Sequence, residues 1–223
     1  MQIMGVTETI VEHLRSRIIV GELEPGQKLN ENHLAASMEV SRPPIREAFR
    51  VLENDNLVFN IPRRGTYVSH LSIQDLHEVY QVREMIECYA IKRIKAKNVR
   101  DLPGVASALS SALTPLSPPT YSSNSKTVNY YNPFPEYHQK LVEGTANDRL
   151  VKCYNSISWQ LARYQFMCFD PGKAEKTQKE HMRIYGLIRK GDYDKAQETL
   201  SSHIVNYVRF LEQVLRKKYN FNV

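Results

Sequence analysis

The sequence has few cysteines and no long apolar run, and these two shortages exclude several classes of protein. Its 223 residues include only Cys88, Cys153 and Cys168, without CxxC spacing, so we expect neither a disulfide framework nor a cysteine-built zinc site. The apolar stretches span a few residues, as at 18–20, which is too short to cross a bilayer. The first residues lack the basic and apolar regions of a signal peptide. We therefore expect a cytoplasmic protein with no membrane partner.

The surplus of basic residues does not by itself indicate binding to nucleic acid. The formal net charge is +6, and charged residues make up 24% of the chain. Residues 1–70 nevertheless hold 8 Lys and Arg against 9 Asp and Glu, and the excess lies in the remainder, with 22 against 15. An argument for DNA binding must therefore depend on where particular arginines lie.

Residues 6–69 have the pattern of three short helices followed by a β-hairpin. Asn30 and Ser41 are suited to cap the second and third helices. Asn56 tolerates the left-handed conformation that ends a helix, and residues 62–65 form the loop between two short strands. A sharp turn between two helices, with a hairpin after them, is typical of a winged helix-turn-helix.

The third predicted helix carries arginines every four residues, which places them in one stripe beside an apolar face. A bidentate arginine recognises the O6 and N7 edge of guanine and contributes about 1–3 kcal/mol of discrimination. A serine at the helix N-terminus suits a phosphate oxygen, and a basic hairpin tip suits a groove or the backbone. A solvated helix face is the alternative, but the surrounding pattern favours DNA. The candidate DNA-binding residues are Ser41, Arg42, Arg46, Arg50, Arg63, Arg64 and Gly65.

From Ser72 onward the pattern is helical only. It predicts a bundle of six or seven helices, interrupted by a Ser- and Pro-rich loop at 114–129. The fold class is therefore mainly α, with a winged helix-turn-helix domain at 1–71 and an all-helical domain at 72–223.

Charged and imidazole side chains lie on the apolar faces of the predicted bundle. Arg83 and Glu87 share the stripe of the first long helix, either as a buried ion pair or with the arginine partly free for a carboxylate ligand. His138, His181 and His203 each face inward on a separate helix. Three such histidines indicate convergence on one point, and bundles build metal sites in this way, here for zinc or nickel.

The motifs of the first 70 residues closely resemble the GntR family of bacterial transcription regulators. They are I-x-x-G-x-L-x-P-G-x-x-L-x-E-x-x-L-A, V-S-R-P-P-I-R-E-A-F-x-x-L and P-R-R-G-x-x-V, within residues 18–68. The resemblance implies DNA contacts at Arg42, Arg46 and the wing tip near Arg64 and Gly65.

The second region resembles the FCD effector domain of the FadR-type branch of that family. Its motifs include R-x-x-x-E at 83–87, G-T-A-N at 144–147 and E-H at 180–181. The resemblance implies that residues 72–223 form an effector-binding and dimerisation domain. It also implies an effector site that includes Arg83 and Asn147, and metal ligands at the three histidines. An aspartate normally completes the ligands four residues before the first histidine, where this chain has Phe134. A metal-free branch of the family binds the effector directly, so both states stay open.

We interpret the chain as a homodimeric DNA-binding regulator, a repressor that binds a palindromic operator and responds to a small organic acid. The alternative is a helical-bundle metalloenzyme with an appended DNA-binding domain. Against an enzyme, Glu180 is expected to face away from His181, and no other carboxylate clusters with the histidines. A third class is an architectural DNA-binding protein without a ligand.

Overall fold

The structure, a computed structural model, describes residues 5–111 and 133–219. Within them the chain forms two compact units, residues 5–71 and the described residues from 72 onward. The loop predicted at 114–129 lies outside the described residues. No helix in the described ranges has the length and apolar character needed to span a membrane.

The first unit consists of three helices and a small antiparallel sheet. In chain order its elements are α1 (Val6–Ile19), β1 (Lys28–Leu29), α2 (Glu31–Ser37), α3 (Arg42–Asn54), β2 (Val58–Ile61) and β3 (Gly65–Val68). β3 lies between β1 and β2, and Gly65 pairs with Ile61 across the hairpin. The strand β1 was not predicted, because two residues are too few to show an alternating pattern.

Local sequence accounts for the helix boundaries of this unit. The Asn30 side chain accepts hydrogen bonds from the amides of Asn32 and His33 at the start of α2. Asn56 has a φ of 56°, so it adopts the left-handed conformation predicted for the end of α3. Apolar residues from α1 and α3 pack together to form the core, including Ile10, Leu14, Ile18, Ile45, Ala48 and Leu52.

The second unit contains six helices in its described residues. They are α4 (Ile73–Ala96), α5 (Pro103–Ser111), α6 (Pro133–Glu143), α7 (Asp148–Met167), α8 (Pro171–Lys190) and α9 (Tyr193–Tyr219). This confirms the predicted fold class, a winged helix-turn-helix followed by a helical bundle.

α4 is the central helix of the bundle and is fixed at its start by two side chains. The Ser72 hydroxyl accepts from the amide of Asp75 at 3.0 Å. The Tyr164 hydroxyl, on α7, lies 3.1 Å from the Ser72 carbonyl and 2.6 Å from an Asp75 carboxylate oxygen. α9 runs antiparallel to α4, since Asp194 in its first turn pairs with Lys95 near the end of α4.

Candidate functional site

The predicted arginine stripe lies on the exposed face of α3. Arg42, Arg46 and Arg50 are all exposed, whereas Ile45 and Leu52 on the other face are fully buried. Ser41 is the N-cap residue, but its side chain makes no capping hydrogen bond. The unit therefore presents a row of guanidinium groups beside a helix N-terminus.

Two of the three arginines are held by one acidic residue of α2. Glu31 Oε2 lies 2.9 Å from Arg46 Nε and 3.3 Å from Arg42 Nη2. Partial burial acts to raise the pKa of Glu31, but the hydrogen bonds from Arg46 and Arg42 outweigh it and hold the pKa below its usual value. The sequence predicted the arginine stripe but not its partner Glu31, because Glu31 lies on a different helix.

The hairpin between β2 and β3 exposes Arg63 and Arg64, and neither forms an ion pair among the described residues. Arg63 and Gly65 have φ values of 64° and 110°, which makes the turn tight. The Lys28 side chain lies beside Gly65, since a Cβ at Gly65 would be 3.3 Å from Lys28 Cε. Lys28 thus adds a third basic group to the wing. The sequence pattern predicted neither this group nor the strand β1 that carries it.

In the second unit, Arg83 and Glu87 form an ion pair that is almost completely buried, with Arg83 Nε 2.8 Å from Glu87 Oε1. The other Glu87 oxygen lies 2.6 Å from His138 Nδ1, and Arg83 Nη2 contacts His138 Nε2. Because arginine can only donate hydrogen bonds, His138 Nε2 must be the acceptor. The imidazole proton therefore lies on Nδ1, which donates a hydrogen bond to Glu87. Arg83 Nη1 is buried and has no hydrogen-bond partner among the described residues.

The three histidines predicted to converge do so in the structure. One ligand nitrogen from each of His138, His181 and His203 lies within 4.8 Å of the others, and all three residues are buried. His203 Nδ1 lies 2.7 Å from Glu180 Oε2, so it donates to that carboxylate. His181 Nε2 lies 3.2 Å from His203 Nε2. Two carboxylates therefore orient two of the three imidazoles, as in many metal centres.

Burial keeps the imidazoles neutral. It lowers the pKa of His138 and His181 well below the usual value, and the positive charge of Arg83 adds to the effect. Burial also lowers the pKa of His203, although the hydrogen bond to Glu180 opposes the shift. Neutral imidazole is the form that binds metal ions.

Two expectations about the carboxylates were wrong. Glu180 does not face away from the cluster, because it accepts a hydrogen bond from His203 on α9. Glu87 also clusters with the histidines, through His138. The phase of a residue within its own helix shows which way it points, but not which side chain a neighbouring helix brings to it.

The other predicted site residues lie apart from the cluster or outside the described part. Asn147 caps α7, and its Oδ1 accepts from the amides of Arg149 and Leu150. Its hydrogen bonds among the described residues do not include Arg83 or the histidines. Phe134 falls within α6, but its side chain lies outside the described residues.

Comparison with known proteins assigns a family model to each unit. Residues 6–68 match the model of bacterial regulatory proteins of the gntR family. Residues 78–206 match the FCD domain.

Three individual proteins show how far the likeness extends. The chain is 26% identical over 206 residues to YdhC of Bacillus subtilis, an uncharacterized HTH-type transcriptional regulator, covering 92% of this chain and 90% of YdhC. It is 40% identical over 89 residues to the gluconate operon transcriptional repressor of Bacillus licheniformis, covering 40% of this chain and 36% of the repressor. A putative GntR regulator from Rhodococcus shares the fold with a TM-score of 0.72 at 24% identity, covering 96% of this chain and 98% of that one.

Proposed function

Since the chain belongs to the GntR family and carries an FCD domain, it is a DNA-binding transcription regulator, and we propose that it is a repressor controlled by a small organic acid. In this proposal a cytoplasmic homodimer binds a palindromic operator through residues 1–71. Residues 72–223 bind the effector and join the two subunits. The gluconate operon repressor, which is similar over part of the chain, is named as a repressor.

The DNA-binding part of the proposal rests on the exposed basic groups of the first unit. The row on α3 fits the major groove, where guanine is read, and the N-terminus of α3 fits a phosphate. The wing tip fits the backbone or the adjacent groove. The proposed contacts are Ser41, Arg42, Arg46, Arg50, Arg63, Arg64 and Gly65.

One observation carries the effector part, namely a buried guanidinium with an unused donor beside three neutral imidazoles. Arg83 Nη1 is desolvated and without a partner among the described residues. A buried donor of this kind destabilises the protein unless a bound ligand accepts its hydrogen bond. A carboxylate is the natural acceptor for a guanidinium fork. Asn147 remains a proposed effector residue only by family resemblance, since its side chain is engaged in capping α7.

The donor set of the cluster fits a divalent metal such as zinc or nickel. His138, His181 and His203 would hold it, and the carboxylates of Glu87 and Glu180 already orient two of them. In the described structure the Nε2 atoms of His138 and His203 are met by Arg83 and His181, so a metal would take the place of these contacts. Bound there, it would supply a positive charge to which an effector oxygen can coordinate.

We propose no catalytic role for this site. An enzyme would need a carboxylate free to act as general base, but Glu87 and Glu180 each already accept a hydrogen bond from a histidine. That arrangement suits orientation of ligands better than proton transfer.

The test is release of DNA by organic acids. An operator is first selected from random duplexes, and its affinity is then measured by fluorescence anisotropy at fixed salt with mono-, di- and hydroxycarboxylic acids. We expect at least one acid to change operator affinity by about 5- to 150-fold.

A variant connects that response to Arg83. Arg83→Lys keeps the charge but loses the planar fork, so it should lose the response while still binding operator without acid. Arg209→Lys makes the same exchange at an exposed position of α9 and serves as the control. An acid response that survives in Arg83→Lys would show that the effector binds elsewhere.

A further inference from the structure

A second arginine of the helical unit is buried without a partner, apart from the histidine cluster. Arg163, on α7, is only 3% exposed. Its Nε and Nη2 atoms are buried and have no hydrogen-bond partner among the described residues. These two nitrogens lie on the same edge of the guanidinium, so a pair of parallel N–H donors is left unused. Buried donors of this kind destabilise a protein unless an acceptor is supplied.

This guanidinium is separate from that of Arg83. The ionisable groups that influence Arg163 are those of Tyr164, Tyr219 and Asp75, and the largest influences on Arg83 come from other residues. Asp75 lies in the first turn of α4, eight residues before Arg83 and therefore about 12 Å from it along the helix axis. Tyr219 is the last residue of α9. Arg163 therefore belongs to the end of the bundle where α4 begins.

The charges at this end of the bundle favour the addition of one negative charge. Burial lowers the pKa of Arg163 to about 10, so the guanidinium is still protonated at neutral pH. The Asp75 carboxylate is already engaged, since its Oδ2 accepts the Tyr164 hydroxyl at 2.6 Å. Lys218 donates to the Met167 carbonyl at 3.1 Å, one turn beyond Arg163 on α7. Two cations beside one carboxylate leave a positive charge that a monoanion would neutralise.

We propose that Arg163 binds the carboxylate of a small monoanion through Nε and Nη2, at a second anion site distinct from the effector site. The two parallel donors match the two oxygens of a carboxylate, which is the bidentate geometry that arginine favours. A phosphate dianion fits less well, because it would leave an uncompensated negative charge beside Asp75. The bound carboxylate stabilises the bundle next to the Tyr164 hydroxyl that holds the start of α4. This site goes beyond the proposed function and does not depend on it.

Titration of the full wild-type chain with acetate tests the proposal, with phosphate as the comparison and chloride keeping the ionic strength constant. The Arg163 Nε–H signal in the NMR spectrum should shift and saturate with acetate, and the melting temperature should rise with the same dependence on concentration. Phosphate should bind roughly tenfold more weakly. A signal that acetate does not move overturns the proposal. Tighter binding of phosphate than of acetate overturns the choice of a carboxylate.

Variants assign the effect to this guanidinium. Arg163→Lys keeps the charge but loses the fork, so acetate affinity should fall about tenfold, and Arg163→Met should abolish the acetate-dependent rise in melting temperature. Arg209→Met makes the same exchange at an exposed position of α9 and serves as the control. In Arg83→Lys the shift of the Arg163 signal should persist, which separates the two anion sites. An undiminished rise in Arg163→Met overturns the proposal, and if that variant does not fold, the wild-type signal decides alone.

Discussion

Glu31 influences the basic surface of α3 although it lies on α2. It holds Arg46 and Arg42 at 2.9 and 3.3 Å, so both guanidinium groups are oriented before DNA is present. Ordering long side chains in advance lowers the entropic cost of binding. The same carboxylate adds a negative charge that opposes phosphate, so it weakens binding to any DNA. Glu31 should therefore raise the ratio of operator affinity to random-DNA affinity, although it lowers the affinity for DNA of any sequence.

Replacing Glu31 by Gln should separate these two effects. We expect tighter binding to random duplex DNA, and a ratio of specific to random affinity reduced by about tenfold, within the 1–3 kcal/mol of one guanine contact. Arg46→Ala should lower the same ratio by weakening operator binding. The measurement is a gel-shift titration on operator and random DNA at one salt concentration.

Glu39→Gln is the control for this prediction. It removes the same charge from an exposed position that has no ion pair among the described residues. If Glu39→Gln changes the ratio as much as Glu31→Gln does, bulk charge explains the effect and orientation does not.

Single residues also show where prediction from sequence ends. The convergence of His138, His181 and His203 was predictable, since each lies on the apolar face of its own helix. The pairing of His203 with Glu180 was not, because it depends on how α8 and α9 pack. Lys28 was missed for the same reason, since strand pairing rather than local sequence brings it to Gly65.

Among the helices and turns, the connection between α8 and α9 depends on one residue. Gly191 follows α8 with a φ of 80°, a left-handed conformation that glycine adopts without strain. A Cβ there would also lie 3.2 Å from the Arg100 guanidinium.

Gly191→Ala should lower the free energy of unfolding by about 1 kcal/mol, because alanine is strained in the left-handed region. Gly186→Ala is a control of opposite sign. Gly186 lies within α8 with no atom near its potential Cβ, so alanine should raise the free energy of unfolding by about 0.5–1 kcal/mol. Urea denaturation followed by circular dichroism measures both, and equal signs would contradict the prediction.

Helices were predictable in this chain because their caps and apolar periods are local. Ser72, Asn30 and Asn56 each act at a helix end as their chemistry suggests. The strand β1 has no such local signal and exists only because β3 pairs with it.

For the molecule as a whole, the charge of the buried cluster decides how metal and effector depend on each other. Arg83 and Glu87 balance, the three imidazoles are neutral, and the Glu180 carboxylate beside His203 adds one negative charge. A divalent cation would add two positive charges close to Arg83, of which Glu180 offsets one, and Phe134 supplies no further carboxylate. An anionic effector would reduce this repulsion.

We therefore expect metal and acid to bind with positive coupling. Calorimetric titration of zinc or nickel should show affinity raised about 5- to 150-fold by the effective acid, and the acid should gain the same factor from the metal. His181→Ala should abolish metal binding. Absence of metal binding under all conditions, with an intact acid response, would assign the protein to direct effector binding instead.

The start of α4 has a mechanical consequence. Only residues 69–72 separate the end of β3 from α4. The Ser69 amide is bonded to the Leu57 carbonyl at 2.9 Å, and the Ser72 backbone is held by the Tyr164 hydroxyl. A displacement of α7 would therefore reach the first turn of α4 directly, because the Tyr164 hydroxyl holds both the Ser72 backbone and the Asp75 carboxylate.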